Sequence, residues 1–339
     1  MYYTLDACTY KPFKEHIMTK EELRIIYMGT PEFAVEALDR LVTGGYNIVG
    51  VITTPDKPIG RHQTELSASP VKQYAVAHGL KVLQPEKLKD EKFLEKLRSL
   101  KADLQIVVAF RMLPEIVWSM PRLGTFNLHA ALLPQYRGAA PINWAVINGE
   151  TQTGITTFFL DKDIDTGNII QRETVPILDT DTAGDVHDRL MHLGAGLVEE
   201  TVENIIKGTI HPIPQKELAA NQLLRHAPKI FKETCRIDWH KGLKATYDFV
   251  RGLSPYPAAW TELEQDGRRN VLKIYGTTKE FCSPTEPIGS VITDGRSTIK
   301  VALADGYLHL TTLQLAGKKR MSASDFLRGF HTNGTLRVL

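Results

Sequence analysis

Residues 104–110 read LQIVVAF, and the reading of that run decides the fold. A half-buried strand alternates apolar with polar residues; a run this apolar and this short reads as a strand covered on both faces. It is expected near the centre of a parallel sheet. Upstream, LRIIYM (23–28) stops at Gly29, Pro31 suits a first helical turn with Thr30 as its N-cap, and Phe33, Ala34, Ala37, Leu38 and Leu41 form one buried helical stripe. Residues 46–53 read as a second strand, 71–78 and 90–100 as helices, and 81–83 as extended. Downstream come TFNLH (125–129), GITTFF (154–159) and one long amphipathic helix over 183–207. Strands alternating with helices imply βαβ units and a mainly parallel sheet, so residues 23–207 are expected to be an α/β domain.

The texture then changes. GTIHPIP (208–214) reads as a stiff linker. After a helix near 241–253, short strands are expected at 271–275, 289–292, 298–302 and 307–315, with Asp294-Gly295 and Asp305-Gly306 as turns. Residues 215–339 therefore predict a small antiparallel β-barrel of the oligonucleotide-binding (OB) kind. Residues 1–22 are expected to be a disordered N-terminal extension. The chain has 339 residues, 42% hydrophobic and 24% charged, which suits a globular protein with two cores. No apolar run reaches the roughly 18 residues of a membrane span, so no membrane partner is expected. Cys8, Cys235 and Cys282 are scattered and odd in number. That favours a reducing compartment, taken as the cytoplasm, and argues against a cysteine zinc site. The net charge of +2 hides an asymmetry: 19 Lys and Arg face 12 Asp and Glu from Gln215 to Leu339, against 22 and 27 in the rest. A basic C-terminal part suits a polyanionic partner.

The chemistry lies in NLHAALLPQYRGAAPINWA (127–145). Period-2 alternation puts Asn127 and His129 on one face of a strand and Phe126 and Leu128 on the other. A carboxamide and an imidazole then share a strand's C-terminal end, where open α/β sheets place their sites. LDKDIDTGNII (160–170) adds three carboxylates, Asp161, Asp163 and Asp165, in a turn-rich stretch. Amide, imidazole and carboxylate together suit acyl transfer without a covalent enzyme intermediate. A metal reading needs more good ligands near His129 than the sequence offers. Gly29-Thr30-Pro31 lacks the glycine spacing of a dinucleotide or P-loop site.

Several separated motifs resemble the methionyl-tRNA formyltransferase family of 10-formyltetrahydrofolate-dependent enzymes. They are LRIIYMGTPEFA (23–34), NLHAALLPQYRGAAPINWA, LDKDIDTG (160–167), IDW (237–239), SPYPAAW (254–260) and LQLAGKKRMSASDFL (313–327). The resemblance covers the chain from about residue 22 onward. It implies a modified Rossmann-type N-terminal domain, a C-terminal barrel that helps hold the acceptor tRNA, and catalysis by Asn127, His129 and Asp165. Asp161 and Asp163 are not carried over, and Asp163 stands where the family commonly has Gly. Ala131, Leu132, Leu133 and Pro134 are implied for the folate pocket. Arg111, Met112, Leu113 and Pro114, just after the central strand, are placed to wall a flat pterin. The loop DKPIGRHQTELSASP (56–70) is less basic than the family's tRNA-reaching loop, with Lys57 and Arg61 its firm positive charges. With Arg137, Lys318, Lys319 and Arg320, these are the expected phosphate contacts.

The implied reaction transfers a formyl group to the α-amine of methionine on initiator tRNA. Asn127 would donate to the formyl oxygen, His129 would stabilise charge or move a proton, and Asp165 would orient His129. Two other readings use the same residues: an amino sugar nucleotide as acceptor, or an RNA-binding protein on an inactive scaffold. The basic C-terminal part disfavours the first and the complete Asn-His-Asp set the second. No metal is expected, and the protein is taken as a monomer.

Overall fold

The computed structural model describes residues 18–59, 65–219, 223–330 and 334–339. The expectations for residues 1–17 and for Arg61 lie outside the described residues. Residues 19–22, counted with the extension above, are fastened down. Lys20 Nζ donates to the Gly44 carbonyl at 2.6 Å, and Asn47 Nδ2 to that of Glu21 at 3.0 Å.

The first sheet contains β1 (Ile25–Gly29), β2 (Ile48–Ile52), β3 (Val82–Leu83), β4 (Leu104–Val108), β5 (Thr125–His129), β6 (Gln152–Phe159) and β7 (Ile169–Pro176). Their order is β7-β6-β5-β4-β1-β2-β3. The five strands from β3 to β5 are parallel to their neighbours, and β6 joins β5 antiparallel. The LQIVV run is thus the middle strand, buried at all five residues. Chain order reverses between β1 and β4, the kind of switch point at which open α/β sheets bind ligands. Helices α1 (Val35–Thr43), α2 (Pro70–Ala77) and α3 (Glu91–Ser99) belong to this half. Ser69 and Asp90 cap α2 and α3 through Lys72 N and Phe93 N. Thr30 does not cap α1. The chain enters that helix through a 3₁₀ turn at Glu32–Ala34, which Tyr27 Oη pins by donating to the Ala34 carbonyl at 2.6 Å.

The long helix α5 (Ala183–Lys207) follows α4 (Pro141–Ile147). Its Gly194 lies against β5 and β6: a Cβ there would fall 2.5 Å from Ile155 Cδ1 and 2.9 Å from Leu128 Cδ2. Close helix packing therefore claims the Phe126 and Leu128 face of β5, both side chains being buried.

The second sheet contains β8 (Ala259–Gln265), β9 (Arg268–Phe281), β10 (Val291–Thr293), β11 (Ile299–Leu303), β12 (Gly306–Leu315) and β13 (Leu336–Val338), in the order β10-β11-β12-β9-β8-β13. It is antiparallel throughout. An antiparallel bridge between Ser290 and Arg337, with Val338 N donating to the Gly289 carbonyl at 2.8 Å, brings its two edges together into a nearly closed barrel. Helices α6 (Leu243–Gly252) and α7 (Ala323–Gly329) supply Leu243, Val250, Phe326 and Leu327 to a core with Leu272, Ile274, Val301 and Leu310. The strand expected at 271–275 runs on to Phe281, because a register shift around Gly276 lets pairing with β12 continue.

The chain forms two compact units that cross chain order. One takes the described residues as far as Gln135, with Gly154–Thr174 and Arg189–Leu224; the other takes Tyr136–Thr153, Val175–Asp188 and Arg225–Leu339. The stretch 208–214, read above as a linker, lies inside the first unit. Ile213 and Ile169 exchange two backbone hydrogen bonds at 2.8 and 2.9 Å, and these tie the stretch to the start of β7.

Candidate active site

The ladder places the first two groups. Asn127 pairs with Val107 on β4 and Phe158 on β6, and His129 pairs with Thr156 on β6. With Phe126 and Leu128 committed to the α5 side, pleating sends Asn127 and His129 to the opposite face. There the His129 ring meets Phe158 edge-on, with centroids 6.4 Å apart and planes at 86°. Asn127 is half-buried, while the His129 side chain is only 6% exposed.

Asp165 comes from the turn between β6 and β7. Its Oδ2 lies 3.8 Å from His129 Nδ1, and its side chain is 15% exposed. Asp161 and Asp163 of the same turn stay exposed. Asp165 has φ +56°, a left-handed conformation uncommon for non-glycine residues, of which aspartate is one of the more tolerant. The adjoining Gly167 is enforced by space: a Cβ would lie 1.7 Å from the Phe159 carbonyl oxygen. An imidazole held beside a carboxylate in such a buried place can carry positive charge or pass a proton.

The loop after β5 is braced by side chains that the sequence did not mark. Thr156 Oγ1 donates to the Ala131 carbonyl at 2.6 Å and accepts from Leu133 N at 3.2 Å, while Arg172 Nη1 donates to the Leu133 carbonyl at 3.1 Å. Strand alternation on β6, which sets Thr156 opposite His129, was the available signal. Ala131, Leu133 and Pro134 are buried and Leu132 half-buried. Leu133 packs in an apolar cluster with Phe158 and Ile169, so its side chain supports the loop from behind.

Beyond β4 the chain turns at Ala109, φ +47°. Arg111 donates through Nη1 to the Glu86 carbonyl at 2.8 Å and through Nη2 to that of Pro85. Its Nε is buried and has no partner among the described residues, and burial pulls the guanidinium below its ordinary pKa. Met112 is 77% exposed. With Leu113, Ile116, Leu88 and Lys89 it lines an open depression of about 540 Å³.

The basic candidates separate. Lys57 is exposed on a short hairpin strand, Lys57–Ile59, beside Asp56, which Lys72 pairs at 2.5 Å. In the other unit, Arg137–Gly138 pairs in parallel with His226–Ala227, next to Tyr136. Tyr136 Oη donates to Glu150 Oε1 at 2.6 Å, and Arg225 joins the same carboxylate at 2.7 Å; burial and then Glu150 raise the Tyr136 pKa. Lys318, Lys319 and Arg320 are exposed in the turn after β12, with Arg320 stacked 4.2 Å from the Tyr275 ring centroid. Lys279 over Tyr247 and Lys300 over Tyr307 repeat this cation–aromatic pairing in the same unit.

Among the described residues, no group of three or more His, Cys, Asp or Glu side chains could hold a metal ion, and no helix is long and apolar enough to cross a membrane.

The formyl transferase family matches residues 23–202, and the formyl transferase C-terminal domain matches residues 229–331. A methionyl-tRNA formyltransferase of Phocaeicola vulgatus is 67% identical over 323 residues, covering 95% of this chain and 100% of that protein. One from Parabacteroides distasonis is 66% identical over 315 residues, covering 92% and 97%. At the level of fold, the N-formyltransferase of Helicobacter canadensis, solved with folinic acid and dTDP-3-aminofucose, superposes with a TM-score of 0.63 at 20% identity, covering 90% of this chain and all of that one. Matched in both halves, and two-thirds identical to relatives along nearly their whole length, the chain belongs to the formyltransferase family, and within it to the methionyl-tRNA formyltransferases.

Proposed function

We propose that Asn127, His129 and Asp165 carry the transfer of a formyl group from 10-formyltetrahydrofolate to the α-amine of methionine on initiator tRNA. The observation that supports this most directly is the approach of Asp165 Oδ2 to within 3.8 Å of His129 Nδ1, on the strand whose alternation puts Asn127 on the same face as His129. The folate donor supplies an activated formyl amide. The depression after β4 fits such a flat ligand, with Met112, Leu113 and Ile116 offering apolar walls. The braced 131–134 loop, whose residues do not line that depression, is proposed as a further folate contact.

The chain's own groups divide the work by their chemistry. Asn127 donates an N–H toward the formyl oxygen as negative charge grows there, a contribution of about 3–4 kcal/mol in acyl-transfer sites. His129 takes the proton that the attacking amine must lose and returns it to the folate N10 as the formyl C–N10 bond breaks, or stabilises the charge on the oxygen in between. Asp165 fixes the imidazole's orientation. Phe158 and the apolar cluster behind it limit water at His129.

Lys57, Arg61, Arg137, Lys318, Lys319 and Arg320 are proposed to contact tRNA phosphates. The cation–aromatic pairs of the same unit support a polyanion-binding surface there. The enzyme acts in the cytoplasm as a monomer in this reading. The test is formyl transfer to purified initiator Met-tRNA beside free methionine and an amino sugar nucleotide. Transfer to the charged tRNA alone is expected; transfer only to a small amine would overturn the acceptor.

A further inference from the structure

We propose that Gln215, the residue that follows the stretch read as an interdomain linker, is a positioning residue for Asp165. This deepens the reading above and rests on it. Gln215 opens the short helix Gln215–Leu218 and is 2% exposed. Its Nε2 donates to two carbonyls of the catalytic turn, Asp165 O at 2.9 Å and Gly167 O at 2.8 Å. One carboxamide thus spans the residues on either side of Thr166 and uses both N–H donors on the turn.

The turn needs such a hold. Asp165 sits at φ +56°, a left-handed arrangement uncommon for non-glycine residues, although aspartate tolerates it better than most. On one side Gly167 is pressed against the Phe159 carbonyl. On the other, Gln215 anchors the carbonyls, and two further contacts secure Gln215 itself. Ile213 is paired to Ile169 by two backbone hydrogen bonds, and Leu218 packs on the cluster of Leu133, Phe158 and Ile169. That cluster includes Phe158, whose ring meets His129. The same segment therefore registers the carboxylate against the imidazole from both sides. Loss of the two hydrogen bonds would release the backbone that aims Asp165 and leave the carboxylate itself unchanged.

The test compares Gln215→Glu and Gln215→Leu with the unaltered protein. Gln215→Glu keeps length and shape but faces two carbonyls with an acceptor, so it removes both donors. Both variants are expected to lower kcat by about 10–100-fold, as a misplacement near 1 Å would. KM for Met-tRNA and for the folate should stay within about threefold. In an Asp165→Asn background the same changes should add little, because Gln215 acts through that carboxylate. Amide hydrogen exchange at residues 163–168 should speed up in both variants, and this readout does not depend on the acceptor. Unchanged exchange at 163–168, full kcat in Gln215→Glu, or full additivity with Asp165→Asn would each overturn the assignment. If the unaltered protein formylated no charged tRNA, the functional reading would fall, and the exchange measurement would still decide whether Gln215 holds the turn.

Discussion

The two arms of the site are built by different means. Asn127 and His129 ride on β5, whose neighbours on both sides hold it by a continuous backbone ladder. Asp165 rides on a turn with a left-handed φ, held by a glycine's close approach and by a carboxamide fifty residues away. A strand places its side chains by its own period, so its aim survives many substitutions around it. A turn places one side chain by whatever happens to hold it, so its aim depends on remote single contacts.

The comparison breaks first if the arms do not share the chemistry. Asp165→Asn is expected to lower kcat by about 10²–10⁴-fold, with KM for Met-tRNA little changed in steady-state kinetics. A raised KM at full kcat would make Asp165 a binding residue. Asn127→Ala should cost about 10²–10³-fold in kcat if its N–H meets the developing oxyanion, which single-turnover measurements would isolate from binding.

Stability tests sharpen the difference between supports. Gly167→Ala forces a methyl into the Phe159 carbonyl, so urea unfolding should show a loss of about 1–3 kcal/mol together with a sharp fall in kcat. Thr156→Val strips a buried donor and acceptor from the loop after β5. About 1–3 kcal/mol of stability should go, and the folate KM should rise more than kcat falls. Equal kinetic signatures for the two variants would mean that the arms are not separable.

The smallest expected effect concerns the barrel. Lys318→Ala and Lys319→Ala should each reduce the slope of log affinity for tRNA against log salt by about one unit, measured with a catalytically silent acceptor. Arg320, stacked on Tyr275, would add a loss of packing to the loss of charge.

Much of this was legible in the residues. LQIVV predicts a central strand and is one, because a strand buried on both faces must be apolar along its length. The shared face of Asn127 and His129 follows from alternation and is confirmed by their partners on β6. The residues proposed for the folate side were less transparent. Leu133 is apolar because it is core, whereas Met112 is apolar and 77% exposed, and composition cannot tell these apart. The strand Ala259–Gln265 was hidden by the prolines of SPYPAAW just before it, and the closing strand Leu336–Val338 by its brevity.

The sequence by itself determined the strand and helix alternation, the change to short antiparallel strands, and the face on which the amide and imidazole lie. Each of these is a local consequence of side-chain period and turn chemistry. The role of Asp165 among three nearby aspartates came through family resemblance, since nothing in LDKDIDTG ranks one carboxylate above another. Only the tertiary structure decided that Asp165 faces His129, that GTIHPIP pairs with β7 and leads into Gln215, and that the barrel's edges meet at Ser290 and Arg337. Those are encounters between residues far apart in the chain, and no local period carries the information about which distant backbone group a side chain will find.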